Sequence, residues 1–483
     1  MVSEYKLLIN GALVAGEAGS FQVVNPATGQ PIPSPVPHAS SAQVDSAVKA
    51  ARAAFLTWSQ VPLSERKEFL LRALEVLKPH ANELAELLSL EQGKPMSNAV
   101  SEVGNALEFF NEAQKVQIPV QVVSTTDTHS LEIHRRPIGV VAAIVPWNYP
   151  VHIAVMKLAS ALVFGNTIVI KPSPNTPLST LRIGELLAEV FPKGVVNMLA
   201  GPDTRDEHSV GDLLTRNPSV ALACFTGSIA TGKRVFQNSS EKLGRMMLEL
   251  GGNDAAIVLA DADVELAAKG VFEAGMINCG QICCGIKRVF VAENIFDHFA
   301  SRVAQLAKDK LSEVGPGNGK NVSIGPLNNK VQLERVKELV ADAVKTGATV
   351  LAGGKQPEHL KGGFFFEPTI VTNLKEGVRL VDEEQFGPVL PLMKFGSETE
   401  AIERANATCY GLGASVWGSN PETVNRVARQ LEAGIVWTNE HAADIPGLPF
   451  GGMKHSGIGR EGADFDLYTF TEAQSAKLLK GRV

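Results

Sequence analysis

The sequence predicts an α/β fold with two parallel-sheet domains and a small projecting pair of β-strands. From residue 140 onward, short apolar runs alternate with helical patterns, which is typical of βαβ units. The runs are continuously apolar, as expected for strands that are covered on both faces. The chain has 483 residues, which is too long for one ordinary core. Ligands of such sheets bind beyond the carboxyl ends of the strands.

Composition narrows the class of protein. Hydrophobic residues make up 45% and charged residues 20%, which is typical of a globular protein, and the net charge of −6 gives no reason to expect a nucleic-acid or membrane partner. Glu4 and Lys6 argue against a signal peptide, and prolines and polar residues in the apolar region 139–170 argue against a transmembrane helix. Five cysteines, mostly clustered, indicate a reducing compartment, so we expect a cytoplasmic protein.

The first third of the chain is predicted to hold a turn at residues 25–29 and helices from 41 to about 97, where apolar residues recur at helical spacing. Residues 119–123 and 131–135 alternate apolar with polar side chains and predict a strand pair about a polar turn. Because this pair interrupts the helix-and-strand alternation, we expect it to project from the body.

Two series of strands follow. The first series predicts strands at 140–145, 167–170, 195–199 and 220–225, with helices at 151–163, 178–190, 210–215 and 230–237. The second predicts strands at 255–259, 288–291, 348–351, 390–394, 414–417 and 434–437, with a glycine-rich linker at 315–319. The last stretch, 468–480, is partly strand-like and is expected to pair with a sheet edge.

The segment from Asn278 to Gly285 contains three of the five cysteines, between a helical pattern at 264–277 and a strand-like run at 287–292. Glycines there let the backbone pass close to a bound group, so a thiol on this turn suits a nucleophile at the mouth of a cleft. The competing interpretation is a set of buried structural thiols, because free cysteine is among the most buried residue types. No histidine or second cysteine pair lies nearby at ligand spacing, so we expect no metal site.

Two loops after predicted strands present polar side chains. Asn148 lies in the loop 146–150, where its amide can point at a developing oxyanion, although an ordinary helix cap is the alternative. Lys171 and Ser173 end the next strand and can reach a ribose or a phosphate, although a solvated lysine at a strand end is the commoner case.

Two further segments are candidates for ligand binding and catalysis. Gly227 and Ser228 form a turn before a helix whose N-terminus can take a pyrophosphate, but the glycine spacing is not the usual dinucleotide fingerprint. Glu249 lies in an apolar, glycine-bounded stretch, where burial would raise its pKa and suit a general base. The alternative for Glu249 is a charge in solvent at the end of an element.

Seven motifs together occur in the order and approximate spacing of the aldehyde dehydrogenase superfamily, which the chain resembles over nearly its whole length. The motifs are at residues 146–150, 171–173, 225–232, 249–252, 280–283, 384–388 and 449–452. Each motif alone has limited specificity, but seven in order are very specific.

The resemblance implies a mechanism. Cys283, as a thiolate, attacks an aldehyde, and the Asn148 amide and the Cys283 backbone N–H hold the oxyanion. Hydride passes to the nicotinamide of NAD or NADP, and Glu249 activates the water that releases the acid. Lys157 matches a lysine near the active site of the family, and the alternative for Lys157 is a buried charge that is paired for structure.

The resemblance also implies a binding site for the NAD or NADP cofactor. Lys171 and Glu384 would hold the riboses, Trp147 and Ser228 would approach the pyrophosphate, and Phe386 would pack by the nicotinamide ribose. The complete implied set is Trp147, Lys171, Ser173, Gly227, Ser228, Glu384 and Phe386.

The family fold consists of two Rossmann-like domains, one for the cofactor and one for catalysis, and a small β oligomerisation flap. The resemblance implies that the cofactor domain spans 1–116 and 139–250, the catalytic domain 251–445, and the flap 117–138 and 463–483, with 446–462 returning to the cofactor domain. A homodimer or homotetramer is therefore expected.

One position departs from the family pattern. Many NAD-preferring relatives carry a glutamate three residues after the lysine, where this chain has Pro174. Without that carboxylate, the site loses a hydrogen-bond acceptor for the ribose and a repulsion against a 2′-phosphate. We therefore expect NADP to be used measurably.

Matching the family's substrate tunnel points to apolar walls on both sides of the nucleophile. The implied lining residues are Tyr149, Ile153, Met156, Ile282, Cys284 and Phe450. The first three share one helical face, which plain core packing would also explain. Because an apolar tunnel cannot cheaply hold a carboxylate without a cation, we expect a neutral aromatic or medium-chain aliphatic aldehyde, and a semialdehyde is the alternative. His441 and Asp444 are expected at the entrance.

Three other classes remain as alternatives. A CoA-acylating relative would lack the base that Glu249 supplies, and a non-catalytic structural protein would tolerate the loss of nucleophile, base or oxyanion donor. A thiol hydrolase would need a histidine beside Cys283, and none lies near it in the sequence.

Overall fold

The computed structural model describes residues 4–204, 208–443 and 447–480. The α-helices are α1 (Ser41–Trp58), α2 (Leu63–Leu77), α3 (Ala81–Gln92), α4 (Met96–Glu112), α5 (Pro150–Val163), α6 (Leu178–Leu187), α7 (Val210–Arg216), α8 (Ile229–Ser240), α9 (Val264–Met276), α10 (Phe296–Asp309), α11 (Lys330–Lys345), α12 (Arg379–Asp382), α13 (Glu398–Asn406), α14 (Pro421–Ala428) and α15 (Asp466–Thr469).

The β-strands are β1 (Leu7–Ile9), β2 (Ala12–Val14), β3 (Ser20–Phe21), β4 (Val24–Asn25), β5 (Gln30–Pro31), β6 (Val36–Pro37), β7 (Gln121–Thr125), β8 (His129–Pro137), β9 (Val140–Ile144), β10 (Thr167–Lys171), β11 (Val196–Met198), β12 (Val220–Thr226), β13 (Arg245–Glu249), β14 (Asp254–Val258), β15 (Ile286–Ala292), β16 (Thr349–Ala352), β17 (Thr369–Thr372), β18 (Val389–Phe395), β19 (Gly413–Trp417), β20 (Ile435–Thr438), β21 (Gly457–Ile458) and β22 (Thr471–Leu479).

The first large sheet holds eight of the described strands, in the order β2-β1-β11-β10-β9-β12-β13-β21. Its central strands, from β11 to β13, are parallel, and the strands added at both edges are antiparallel. Every residue of β9 and of β10 is buried, which explains their continuous apolar runs. The parallel register brings the loops after β9 and β10 to the same edge of the sheet.

The second large sheet holds seven described strands, in the order β16-β17-β18-β15-β14-β19-β20. All of its pairings are parallel except that of β16 with β17. Its two faces are covered by separate apolar clusters, with Phe290 and Ile257 on one face and Val289 and Val258 on the other. The predicted α/β class, with two mainly parallel sheets, is therefore confirmed.

A third sheet of the described chain contains β22, β8 and β7 in that order. Its β22–β8 ladder runs from Thr471 opposite Pro137 to Leu479 opposite His129. Both the predicted strand pair and the predicted edge pairing of the C-terminal stretch are therefore confirmed. Apolar side chains of this sheet are exposed, among them those of Val122, Val123 and Leu479.

Elements α4, β13 and β17 are among those that lie outside the predicted set. The helical region, expected to end near residue 97, continues as α4, which buries Ala99, Val103, Ala106 and Phe110 along one side. Strand β13 begins and ends with a charged residue, and β17 has two apolar residues between threonines, so neither is recognisable as an apolar run. Within the described residues, no helix is both long and apolar enough to span a bilayer.

The predicted linker at 315–319 is a packed turn. The Gly315 N–H donates to the Ile324 carbonyl at 3.1 Å, and the Met96 N–H at the start of α4 donates to the Gly317 carbonyl at 2.8 Å. A Cβ on Gly317 would lie 2.2 Å from the Lys94 carbonyl oxygen, so the close approach requires glycine. The turn therefore joins the second half of the chain to the connection between α3 and α4.

Candidate active site

The nucleophile candidate follows a left-handed turn that ends α9. Asn278, Cys279 and Gly280 have φ values of 49°, 59° and 71°. A Cβ on Gly280 would lie 2.1 Å from the carbonyl oxygen of Gly387, so this position requires glycine. The turn leads the chain back toward β15 and leaves Cys283 half-buried just before that strand.

Lys287, in β15, holds the nucleophile segment by its carbonyl groups. Its ammonium donates to the carbonyl oxygens of Ile282 at 2.7 Å, Cys283 at 2.9 Å and Gly285 at 3.2 Å. The side chain is buried, so these hydrogen bonds replace those that water would make. Nothing in the sequence marks Lys287 as a site residue except its place just after the cysteine cluster.

Asn148, in the loop after β9, contacts the nucleophile segment. Its side-chain amide donates to the Gln281 carbonyl at 3.2 Å, and the Asn278 amide donates to the Asn148 carbonyl at 3.1 Å. Asn148 is buried, and the N-cap residue of α5 is Tyr149. Asn148 is thus not the ordinary helix cap that was its alternative, and its amide lies beside the backbone that leads to Cys283.

Glu249, at the end of β13, lies close enough to Cys283 for the two groups to affect each other's pKa. Its carboxylate is only 2% exposed, which excludes the alternative of a solvated charge, and its Oε1 has no hydrogen-bond partner among the described residues. Burial, followed by the charge of Cys283, raises the pKa of Glu249 well above its ordinary value. The Cys284 thiol and burial raise the pKa of Cys283, against the opposing effects of the Lys287 ammonium and a hydrogen bond with Glu249.

Lys157, on α5, forms a buried ion pair with Glu461. Burial lowers the pKa of Lys157, but the ion pair with Glu461 and the charges of Cys224 and Glu249 together outweigh burial, so the net pKa is raised. The backbone of Glu461 also forms a two-way bridge with Phe450, with N···O distances of 2.7 and 2.8 Å. Glu461 could not be recognised in the sequence, because its partner lies 304 positions away.

Lys171 is the last residue of β10 and Ser173 lies in the loop after it. Both side chains are buried, which excludes the alternative of a solvated lysine. The Lys171 ammonium donates to the Pro172 carbonyl at 3.1 Å, and burial lowers its pKa to about 8. The Ser173 hydroxyl accepts the Asn175 N–H at 3.3 Å. A buried ammonium with one neutral acceptor retains N–H groups that suit the hydroxyls of a ribose.

Glu384, like Lys171, has hydrogen-bonding capacity that the protein only partly uses. Burial raises the pKa of Glu384 to about 7, although the Lys287 ammonium, 3.9 Å from its Oε1, and the Gly252 N–H, at 3.2 Å, oppose this shift. Two residues further on, Phe386 has a φ of 47°, and its ring packs edge-on against Trp147 at 5.3 Å. The aromatic pair thus lies next to a carboxylate that can accept hydrogen bonds from hydroxyl groups.

The predicted pyrophosphate turn lies between β12 and α8. The Gly227 N–H donates to the Glu249 carbonyl at 3.0 Å, which ties this turn to the strand of the proposed base. The Ser228 hydroxyl is the N-cap of α8 and accepts the Thr231 N–H at 3.3 Å. The turn therefore exposes a helix N-terminus, whose N–H groups favour an anion.

The predicted tunnel residues fall into two groups that pack against different clusters. Tyr149, Ile153 and Met156 pack with the large core around the first sheet. The other group is Ile282, Cys284 and Phe450, which pack around Leu412 and Trp437. The Tyr149 hydroxyl lies within electrostatic reach of Cys283 and Cys284, whose charges add to burial in raising its pKa. The second group thus shares its cluster with Cys283, and the first approaches Cys283 and Cys284 through Tyr149.

The expectation that His441 lines an entrance is wrong, and Asp444 lies outside the described residues. His441 is 7% exposed, its ring packs on Trp437 at 4.8 Å, and its Nε2 donates to the Cys284 carbonyl at 2.8 Å. His441 therefore holds the backbone of the cysteine segment through the Cys284 carbonyl. Across the described ranges, no group of three or more His, Cys, Asp or Glu side chains could hold a metal ion.

The family model "Aldehyde dehydrogenase family" matches residues 13–476. The chain belongs to the aldehyde dehydrogenase family. It is 38% identical over 98% of its length to a 2-hydroxymuconic semialdehyde dehydrogenase from Pseudomonas sp., covering 99% of that protein. It is also 37% identical over 97% of its length to a phenylacetaldehyde dehydrogenase from Pseudomonas fluorescens, covering 95% of that protein.

Solved structures of the family have the same fold. The NAD+ complex of an aldehyde dehydrogenase from Bacillus cereus superposes with a TM-score of 0.94 at 36% identity, and the match covers 99% of this chain and 96% of that chain. The resemblance that the seven motifs indicated, and the fold that it implied, are confirmed by these similarities.

Proposed function

We propose that this protein oxidises a neutral aldehyde to the acid with NAD+ or NADP+, through a thioester on Cys283. One observation supports this most directly: Glu249 and Asn148, from two distant segments, both meet the nucleophile segment, Glu249 at Cys283 and Asn148 at the Gln281 carbonyl. Such a constellation provides a nucleophile, a base and an oxyanion donor, which acyl transfer requires.

In the first step, the Cys283 thiol loses its proton and its sulfur attacks the aldehyde carbon. The half-buried Cys283 gives this proton to solvent, so Glu249 remains available as the base of the later hydrolytic step. One N–H of the Asn148 amide is bound to the Gln281 carbonyl, and the other is directed to the carbonyl oxygen as it gains charge, together with the Cys283 backbone N–H.

The cofactor site is proposed from the groups that lack full partners in the protein. Lys171, Ser173 and Glu384 would bind ribose hydroxyls, and the N-terminus of α8, at Gly227 and Ser228, would bind the pyrophosphate. Trp147 and Phe386 would confine the nicotinamide end. When bound, the nicotinamide accepts the hydride that leaves the aldehyde carbon.

Release of the acid requires a base that is neutralised and recharged in each turnover. The raised pKa of Glu249 suits it to take a proton from water near neutral pH. The Lys157 ammonium stabilises the charged form of Glu249, whereas the Glu461 carboxylate opposes it. The Lys157–Glu461 pair is therefore proposed to tune the base.

The substrate is proposed from the walls beside Cys283. The buried cations around these walls are already satisfied: Lys94 pairs with Glu102, Lys157 pairs with Glu461, and Lys287 binds three carbonyls. A carboxylate in the tunnel would lack a partner, which favours a neutral aromatic or medium-chain aliphatic aldehyde. The phenylacetaldehyde-oxidising relative supports this proposal. The relative named for 2-hydroxymuconic semialdehyde supports the alternative of a semialdehyde.

Domain organisation, assembly and location also remain proposals. We assign 1–116, 139–250 and 446–462 to a cofactor domain, 251–445 to a catalytic domain, and 117–138 with 463–483 to an oligomerisation flap. The exposed apolar side chains of the three-stranded sheet favour a homodimer or homotetramer, since such patches usually mark interfaces. A cytoplasmic location is proposed from the free thiols.

Cys283→Ala should abolish aldehyde-dependent cofactor reduction, by roughly a thousandfold or more, because no other thiol occupies the convergence point. Cys279→Ala and Cys284→Ala are matched controls from the same segment and should retain most of the rate. Steady-state absorbance of the reduced cofactor measures all three. Substantial turnover by the Cys283→Ala protein would exclude this cysteine as the nucleophile.

Glu249→Gln should stop the enzyme after hydride transfer, because an amide cannot activate water. Rapid mixing should show a burst of about one reduced cofactor per active site, followed by slow turnover. Glu472→Gln is the control. Glu472, in β22, forms a surface ion pair with Arg245, which is on the same strand as Glu249, and the substitution removes only that pair. Unchanged turnover of Glu249→Gln at neutral pH would mean that another group is the base.

NADP+ should bind measurably, because Pro174 leaves no carboxylate to repel a 2′-phosphate. Pro174→Glu should weaken NADP+ binding by about tenfold and NAD+ binding much less, with Pro174→Gln as the uncharged control. Above pH 8, Lys171 loses its charge, so NADP+ affinity should fall relative to NAD+. Fluorescence titrations give these affinities, and refusal of NADP+ by the native protein would contradict the proposal.

Benzaldehyde and hexanal should give higher kcat/KM than succinic semialdehyde under one cofactor. The expected difference is about tenfold or more, because a carboxylate would enter an apolar tunnel without a free cation. A clear preference for succinic semialdehyde would show that the tunnel assignment is wrong and would favour the semialdehyde alternative.

A further inference from the structure

Helices α5 and α6 follow the two loops that the proposed function uses, and neither begins with a capping side chain of its own. The N-cap residues are Tyr149 and Pro177, and neither makes a side-chain cap hydrogen bond. The first N–H groups of a helix have no partner within the helix. Both helix starts are buried, so their N–H groups require acceptors from elsewhere.

Glu102, on α4, supplies the acceptor for α5. Its Oε1 accepts the N–H groups of Val151 at 3.1 Å and His152 at 3.2 Å. The Glu102 carboxylate is fully buried, and its charge is favourable at a helix N-terminus. Glu102 therefore fixes the start of the helix that directly follows Asn148 and Tyr149.

Lys94, in the connection between α3 and α4, contacts the other side of the same loop. It forms a buried ion pair with Glu102, and its ammonium donates to the Asn148 carbonyl at 2.9 Å. The ammonium also lies 3.9 Å from the centre of the Tyr149 ring. Lys94 and Glu102 together thus hold both the carbonyl of Asn148 and the helix that follows it.

Glu91, the second-last residue of α3, supplies the acceptors for α6. Its carboxylate accepts the Leu178 N–H at 2.6 Å, and the Ser179 N–H and hydroxyl at 2.9 and 2.5 Å. Glu91 is fully buried. The loop between β10 and α6 contains Ser173 and begins directly after Lys171, so Glu91 fixes the far end of the loop that presents these two side chains.

The end of α3, at Glu91 and Gln92, is also connected to the nucleophile segment. The Asn328 side chain donates to the carbonyls of Glu91 at 3.1 Å and Gln92 at 3.3 Å. The Asn328 backbone N–H donates to the Gln281 side chain at 2.8 Å, and Gln281 lies two residues before Cys283. Residues 91–102 therefore contact all three functional segments: the Asn148 loop through Lys94 and Glu102, the cofactor loop through Glu91, and the nucleophile segment through Asn328.

We propose that residues 91–102 form a positioning device with two separable parts. Glu102 with Lys94 positions the oxyanion donor Asn148, and Glu91 positions the cofactor loop that contains Ser173. None of the three contacts the reacting atoms, so all are positioning residues. This inference rests on the proposed function, and it adds that the barrier of the reaction and the affinity for cofactor are controlled by different buried carboxylates.

The test uses Glu102→Gln and Glu91→Gln in the full chain. Glutamine keeps the shape of each side chain, but whichever way its amide is turned, the NH2 group faces a donor that the carboxylate accepted. Two controls lie on the same helices. Glu108→Gln on α4 changes only a surface contact with Asn111, and Glu83→Gln on α3 removes an ion pair with Arg182 of α6.

For Glu102→Gln, kcat per titrated active site should fall about tenfold or more, while the Kd for NADH stays within about twofold. For Glu91→Gln, the Kd for NADH should rise about fivefold or more, while kcat at saturating cofactor stays within about twofold. Both controls should match the native protein. A purely structural role would lower the melting temperature without this split. The proposal is overturned if both variants change the same parameter or if neither parameter changes.

A folding failure and a failure of the proposed function can be told apart from these results. If Glu102→Gln does not melt cooperatively, Glu102→Asp keeps the charge for Lys94 and shortens the reach to α5, and a smaller loss confined to kcat is expected. A native protein without aldehyde-dependent NAD(P)+ reduction would refute the proposed function. The Glu91 part would still be decided by NADH fluorescence, and an unchanged Kd would overturn it.

Discussion

The contact between Asn148 and the backbone around Gln281 is the constraint on which the site depends. The proposed oxyanion donor belongs to a loop of the first sheet, whereas the proposed nucleophile precedes a strand of the second. Neither sheet alone provides both groups. The left-handed turn at 278–280, the Lys287 ammonium and the buried His441 all hold the nucleophile segment at that junction. Acyl transfer depends on donor and nucleophile being correctly placed before substrate arrives.

Several groups of the site are less satisfied than those of an ordinary interior. Among the described residues, one carboxylate oxygen of Glu249 has no hydrogen-bond partner, Lys171 binds one neutral carbonyl, and Glu384 is partly buried with a raised pKa. Water would solvate each of these groups better than the protein does, so burying them costs folding free energy. The large apolar cores around both sheets offset this cost. A site of this kind gains function where it loses stability, as is common in enzymes.

The sequence was informative where a local pattern decides the outcome. Continuous apolar runs located most strands of both sheets, and the seven motifs brought Cys283, Glu249 and Asn148 forward as candidates. Local patterns fail for contacts between distant segments. In the sequence, nothing distinguishes Glu102 and Glu461 from glutamates at the surface. Only the fold shows that they are buried in ion pairs with Lys94 and Lys157. Likewise, His441 lies in a loop, where an exposed side chain is expected, but its ring is buried and donates a hydrogen bond to the Cys284 carbonyl.

The pairing of β13 with β21 has a consequence for how the protein is made. Leu248 and Glu249 pair with Ile458 and Gly457, which the ribosome adds about 200 residues later. At roughly 5–20 residues per second, the strand of Glu249 would wait tens of seconds as an unprotected sheet edge. Unpaired edges of this kind are where nascent chains associate wrongly. The first half of the chain thus contains the proposed base early in translation, yet the sheet around that base can be completed only after residues 457 and 458 have been added.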